Sequence, residues 1–223
     1  MRTRLFNTAI NRRQHSARAW RARRCLLACT CMLLSLPGAA QAEEAQWTLA
    51  QETDGIRLYT RTHDTSPFWE IKAAMTINAR AEAVAEAFGD GNGCSAWRAM
   101  CKASTVVEHV SDNERYVHMV LNMPWPVADR DLVMRVTDSI DIQSQQAVVQ
   151  FTSASEKQPP DDWVRAQANG QYLINMINDD QVAFTYIIHT DLGGDLSASM
   201  INPRLADATI EDLQRLRKQA QGR

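Results

Sequence analysis

Met123-Pro124-Trp125-Pro126-Val127-Ala128-Asp129-Arg130-Asp131-Leu132-Val133 is the stretch on which the fold turns. Its two prolines donate no backbone hydrogen bond, so no central strand can run through them. On the N-terminal side, Val117, Met119, Leu121 and Met123 share one face of a strand expected over Tyr116–Met123. On the C-terminal side, strand pairing resumes over Leu132–Thr137. The stretch is therefore read as a loop that delivers the chain from one strand to the next and ends on an Arg-Asp pair.

Upstream of it, Gln46–Gln51 reads as a short opening helix that ends near Asp54-Gly55. Ile56–Thr62 alternates apolar and polar residues, which predicts a half-buried strand, and Phe68–Ile77 predicts a second. Ala79–Phe88 is alanine-rich, with Val84 and Phe88 at helical spacing; Gly89-Asp90-Gly91-Asn92-Gly93 stops the helix. Thr105–Val110 is a further strand.

Downstream, Ala147–Thr152 is a strand, Ser153–Asp162 a polar loop holding Pro159-Pro160, and Trp163–Ala166 a short strand. Gln171–Ile177 and Val182–Thr190 form a hairpin. Ala206, Ile210, Leu213, Leu216 and Ala220 then recur at spacings of four, three, three and four, the single apolar stripe of a packed helix. Thr209 with Asp212 suggests an internal cap, and Asn202-Pro203 marks either a kink or a new helix start. Strands that follow one another through short turns make an antiparallel sheet, so the class is α+β. Such a sheet wrapped around one amphipathic helix can leave a hollow between them.

Charge divides the chain unevenly. Residues 1–42 hold eight arginines and no acidic residue, whereas the remaining 181 hold 16 basic and 26 acidic side chains, a net of −10. An acidic body disfavours nucleic-acid binding, which depends on neutralising phosphates, and permanent residence on an anionic membrane. The basic start runs into the apolar stretch Cys25–Leu36 and then Ala40-Gln41-Ala42, the layout of a signal peptide cleaved near Ala42. The apolar stretch is shorter than the ~20 residues that span a bilayer. A lipid-attachment reading at Cys29 would leave only four residues between Arg24 and the modified cysteine. The expectation is a signal peptide over 1–42 and one domain over 43–223, located in the periplasm or outside the cell. Cys94 and Cys101 are the cysteines left after cleavage. An oxidising compartment would join them as a disulfide, the alternative being two buried thiols.

Catalytic motifs are thin. Gly91-Asn92-Gly93-Cys94-Ser95-Ala96 fits a dinucleotide-binding pattern but follows a helix rather than a strand. His63, His109, His118 and His189 fall on separate elements without metal-ligand spacing, so no metal and no cofactor is expected. Asp161-Asp162 and Asp179-Asp180 read as solvated turn residues.

The Pro-Trp-Pro loop running into Arg130-Asp131 resembles the signature of the START (StAR-related lipid transfer) family, in a bacterial secreted-type form. Other pieces fall in the family's order: Asp54-Gly55-Ile56-Arg57-Leu58-Tyr59, then Asp90 with Trp97, then Ser104-Thr105-Val106-Val107-Glu108. Gly170-Gln171-Tyr172-Leu173-Ile174, Asp191-Leu192-Gly193-Gly194-Asp195-Leu196 and Leu213-Gln214-Arg215-Leu216-Arg217 follow. The resemblance implies a helix-grip fold, a curved antiparallel sheet around the C-terminal helix with an internal apolar cavity. It implies a monomer that binds a lipid or other hydrophobic small molecule, with transient membrane contact and no enzymatic activity. The rivals are a helix-grip enzyme or a sensor acting on a hydrophobic or aromatic ligand.

Cavity candidates are Met119, Leu121, Met134, Ile174, Phe184 and Tyr186, with Arg135 either turned inward to a head group or held in a surface ion pair. Arg130 and Asp131 are read as structural, Arg130 anchoring the Pro-Trp-Pro loop through a carboxylate or backbone oxygens. Ser197, Ser199 and Pro203 depart from the family pattern and put the start and straightness of the last helix in question.

Overall fold

The computed structural model describes residues 46–89, 91–157 and 163–222, all within the unit Ala42–Arg223. The signal-peptide segment, Cys25, Cys29 and Cys31, Asp90, and the Pro159-Pro160 and Asp161-Asp162 pairs lie outside the described residues. Ten strands form one sheet: β1 (Thr48–Thr53), β2 (Ile56–His63), β3 (Ser66–Ile77), β4 (Cys101–Ser111) and β5 (Glu114–Leu121), then β6 (Arg130–Asp141), β7 (Gln146–Ser153), β8 (Val164–Arg165), β9 (Gln167–Asn178) and β10 (Gln181–Asp191). The spatial order is β1-β2-β3-β10-β9-β7-β6-β5-β4, antiparallel throughout, with β8 added parallel to the start of β6. Helix α1 (Ala81–Phe88) and a 3₁₀ turn (Cys94–Ala96) join β3 to β4, and α2 (Ala198–Gln221) ends the chain. The fold class is thus α+β with a curved, open antiparallel sheet gripping a long C-terminal helix.

The opening element is a strand, not the expected helix. Thr53 pairs with Ile56 across a two-residue Asp54-Gly55 turn, and both turn residues have positive φ, 52° and 72°. That is the backbone of a tight hairpin turn, for which Asp-Gly is a favoured pair. Six residues are too few to hold a helix by themselves, whatever their preference, and gain more from pairing with β2.

Strand β9 runs between β7 and β10, and the three approach one another closely at Gly170. A Cβ on Gly170 would stand 2.2 Å from the Ile187 carbonyl oxygen and 2.7 Å from a ring carbon of Phe151. Only glycine permits that approach.

Helix α2 packs on β2, β3 and α1. The five stripe residues foreseen from sequence are all buried. Two expectations for this helix are corrected. Pro203 lies inside a continuous helix that begins at Ala198, where the Ser197 carbonyl accepts the Met200 and Ile201 N–H groups at 3.0 Å each. Asn202 holds this end down: its Oδ1 accepts the Trp69 N–H at 3.0 Å and its Nδ2 donates to the Pro67 carbonyl. Thr209 and Asp212 form no cap either. Thr209 donates back to the Leu205 carbonyl at 2.8 Å, and Asp212 points off the helix to accept the Ala99 N–H at 2.7 Å.

Among the described residues no helix is long and apolar enough to cross a membrane, and no group of three or more His, Cys, Asp or Glu is gathered for a metal.

Candidate functional site

Strand alternation decides which side chains of β6 face inward. Leu132 and Met134 line the hollow beneath the sheet, with Val136 on the same face. Asp131, Val133 and Arg135 project to the other side. Asp131 and Val133 are nonetheless buried on that side, Asp131 beneath the Arg165 and His118 side chains. The cover stops before Arg135. Its side chain is 53% exposed and bonds Glu114 at 2.8 Å. The inward reading of Arg135 is therefore corrected: the pleat carries it away from the hollow, and it is the surface ion pair.

Two pockets open on the inner side, of about 70 Å³ and about 320 Å³. Arg98, Met119, Met134 and Phe151 line both. The smaller is closed by Trp69, Leu121, Leu192 and, from α2, Leu205 and Asp212. The larger extends under α1 and the Gly-rich loop, past Phe88, Val117 and Ile174, to the Arg115–Asp138 ion pair. Of the cavity candidates, the structure brings Met119, Leu121, Met134, Ile174 and Tyr186 to the pockets. Phe184 lies behind them, buried among Phe88 and Tyr172 with ring centroids at 5.5 and 6.0 Å.

At the junction of the pockets stands Arg98, which the sequence reading did not single out. It sits in the short segment between Cys94 and Cys101, and these two cysteines are joined as a disulfide with Cα atoms 5.9 Å apart. The bridge fixes a segment otherwise held by a few turn hydrogen bonds. Trp97, beside Arg98, packs edge-on against Phe88 at 5.2 Å, and its indole stacks on the Arg98 guanidinium at 4.5 Å. The guanidinium donates to the Tyr172 hydroxyl and, at 3.4 Å, to the Tyr186 hydroxyl. Asp212 lies 3.9 Å away. The Arg98 Nε, although buried, has no hydrogen-bond partner.

Electrostatics follow from this enclosure. Burial pushes the Asp212 carboxyl up to about 6, with Arg98 and the Ala99 N–H only partly opposing it. Burial likewise drives the Tyr172 and Tyr186 phenols well above their ordinary value, against the pull of Arg98. Burial works to lower Arg98, but the fields of Tyr172, Tyr186 and Asp212 outweigh it and raise its pKa further. Arg98 is a permanent cation, and the phenols remain protonated hydrogen-bonding groups.

Arg130 and Asp131 have separate work. Arg130 is buried and donates through Nε to the Leu192 carbonyl at 3.0 Å, through Nη2 to the Gly193 carbonyl and through Nη1 to the Ala128 carbonyl. It clamps the loop after β10 to the end of the Pro-Trp-Pro loop through backbone oxygens alone. Asp131 accepts both Arg165 Nε and Nη2, at 2.9 and 2.7 Å, and lies 3.2 Å from His118 Nε2. The loop itself leaves Trp125 93% exposed.

The START domain family model matches residues 28–222. Among solved structures, a STAR-related lipid transfer protein fragment from Xanthomonas axonopodis is 26% identical, with a TM-score of 0.71, covering 78% of this chain and 98% of its own. Human StAR-related lipid transfer protein 5 shares the fold with a TM-score of 0.74 at 15% identity, covering 82% of this chain and 89% of its own. Uncharacterized protein PA1579 of Pseudomonas aeruginosa is 23% identical over 194 residues, which cover 86% of this chain and 94% of that protein.

Proposed function

The chain belongs to the START domain family, and from that premise we propose that it is an exported binding protein that takes up a lipid or other apolar small molecule in the pockets beneath the sheet and carries it between membranes. The observation that supports this best is the larger pocket. Its volume of about 320 Å³ falls at the lower end of the range of roughly 300–1,000 Å³ for small-molecule sites. Its walls are mostly apolar, the polar side chains being Arg98, Asn92, Ser139, the Tyr172 hydroxyl and the Arg115–Asp138 pair. An apolar molecule leaving a bilayer for water costs ~0.8 kcal/mol per CH₂, and a methionine- and aromatic-lined wall offsets that cost. Met119 and Met134 suit the task, since an unbranched thioether adapts to irregular ligands.

The protein acts in this reading as a binder, not a catalyst. Its pocket phenols are held protonated, its guanidinium is a fixed cation, and the Asp212 carboxyl is engaged by the Ala99 N–H. Donors so placed recognise a group rather than abstract protons from it. The exposed Trp125, amphipathic and on a loop, suits brief contact with a membrane interface. Export through a signal peptide ending near Ala42 and a monomeric mature protein complete the reading.

Native mass spectrometry of protein purified from its own host, followed by solvent extraction, tests it. The expected result is an added mass that leaves with the organic phase and is identified as an apolar molecule. Protein that emerges empty and gains no mass from lipid vesicles overturns the reading.

A further inference from the structure

Arg98 is poorly compensated for a buried charge. Its side chain is 15% accessible, and it lines both pockets, so the remaining accessible surface faces the ligand space. Its polar partners are two neutral phenols and a carboxylate 3.9 Å away, with the Trp97 indole stacked on the guanidinium. One oxygen of that carboxylate, Oδ1, accepts the Ala99 N–H at 2.7 Å, and the other, Oδ2, is the one 3.9 Å from Arg98, beyond hydrogen-bond reach. The Nε edge is left with a buried N–H and no acceptor. A buried donor left unmet is destabilising, the more so when it belongs to a charged group.

We propose that the ligand is a carboxylic acid with a compact apolar body, its carboxylate seated on the Nε edge of Arg98. This rests on the apolar-ligand reading above and narrows it. A planar carboxylate matches the guanidinium edge with parallel charge-assisted bonds. The two phenol oxygens already accept from Arg98, which leaves a phenol O–H to donate to the same anion. An alcohol or ester would fill the Nε–H but leave the charge unmatched. A two-chain phosphodiester needs more room than pockets of about 320 and 70 Å³ offer. The apolar body then extends along Met119, Met134 and Ile174.

Isothermal titration of the delipidated protein near neutral pH with sodium decanoate, methyl decanoate and 1-decanol tests this. Decanoate is expected to bind about ten- to hundredfold more tightly than the ester or alcohol, the range one charge-assisted bond supplies. Arg98→Met is expected to bring the three within a few-fold of one another while the alcohol still binds. Equal affinity of the wild type for acid, ester and alcohol overturns the carboxylate assignment and leaves the apolar-ligand reading standing. Failure of all three to bind overturns both. If Arg98→Met does not fold, the wild-type series decides alone.

Discussion

Among the described residues, two buried arginine–aspartate pairs are built to different standards. On the outer side of β6, Asp131 is fully buried and meets Arg165 through two bonds at 2.9 and 2.7 Å, with His118 as a further partner. Beneath the sheet, Asp212 stands 3.9 Å from Arg98, and the Arg98 Nε is unpartnered. The first closes on itself, as a buried ion pair must if it is to repay its desolvation. The second leaves a buried donor without a partner on a residue that lines the hollow. A structural pair is complete without a ligand, and a recognition site is not.

The largest effect that would test this contrast is expected from Asp131→Asn. It removes the buried carboxylate that Arg165 meets through two bonds and should cost about 3–5 kcal/mol of stability, read as a lower urea midpoint. A loss no greater than that of Asp212→Asn would erase the distinction. Arg130→Ala comes next, at on the order of 3 kcal/mol, because the carbonyls of Leu192, Gly193 and Ala128 lose a charged donor. A variant that melts like the wild type yet has lost its ligand would instead place Arg130 in the site.

Asp212→Asn is the smaller, sign-specific case. The folded-state pKa of Asp212 is raised to about 6 from 3.8. A raised carboxyl contributes stability below its unfolded value that is lost as pH rises through the folded one. The asparagine variant keeps an acceptor for the Ala99 N–H, so it should match the wild type within about 1 kcal/mol near pH 4. It should gain on the wild type as pH passes through 6 and hold level above. Thermal melts across that span check it; a constant difference would show that Asp212 does not titrate as described. Smallest of all is Trp125→Ala, which should leave the melting curve within about 0.5 kcal/mol because the ring touches little. Weakened transfer of ligand from vesicles with unchanged stability would assign the ring to the membrane.

Much of the fold was legible. Alternation at Ile56 and Leu58, the proline-bounded loop, and the stripe from Ala206 to Ala220 each follow from a period that burial enforces. The Asp54-Gly55 hairpin was legible too, by the turn pair, although residues 46–51 read as helix. The candidate site was legible only in part. Tyr172 shares a face with Ile174 and could be inferred from it. Asp212 stands three residues after Thr209 on the buried side of α2, and a carboxylate in an apolar stripe is itself a signal. Arg98 gave none, since it lies in an irregular segment where no period assigns direction.

The sequence by itself determined the class of the fold and the family, because hydrophobic period, turn chemistry and ordered motifs act over short stretches. Only the tertiary structure decided which charges face inward. Arg135 and Arg98 are both arginines near apolar residues in the sequence. One is turned out by the strand pleat to Glu114; the other is carried under the sheet by a disulfide-tied turn and met there by Tyr172, Tyr186 and Asp212. Those partners lie 74 to 114 residues away along the chain, so their convergence depends on how the sheet curves and where α2 docks, which no local pattern encodes.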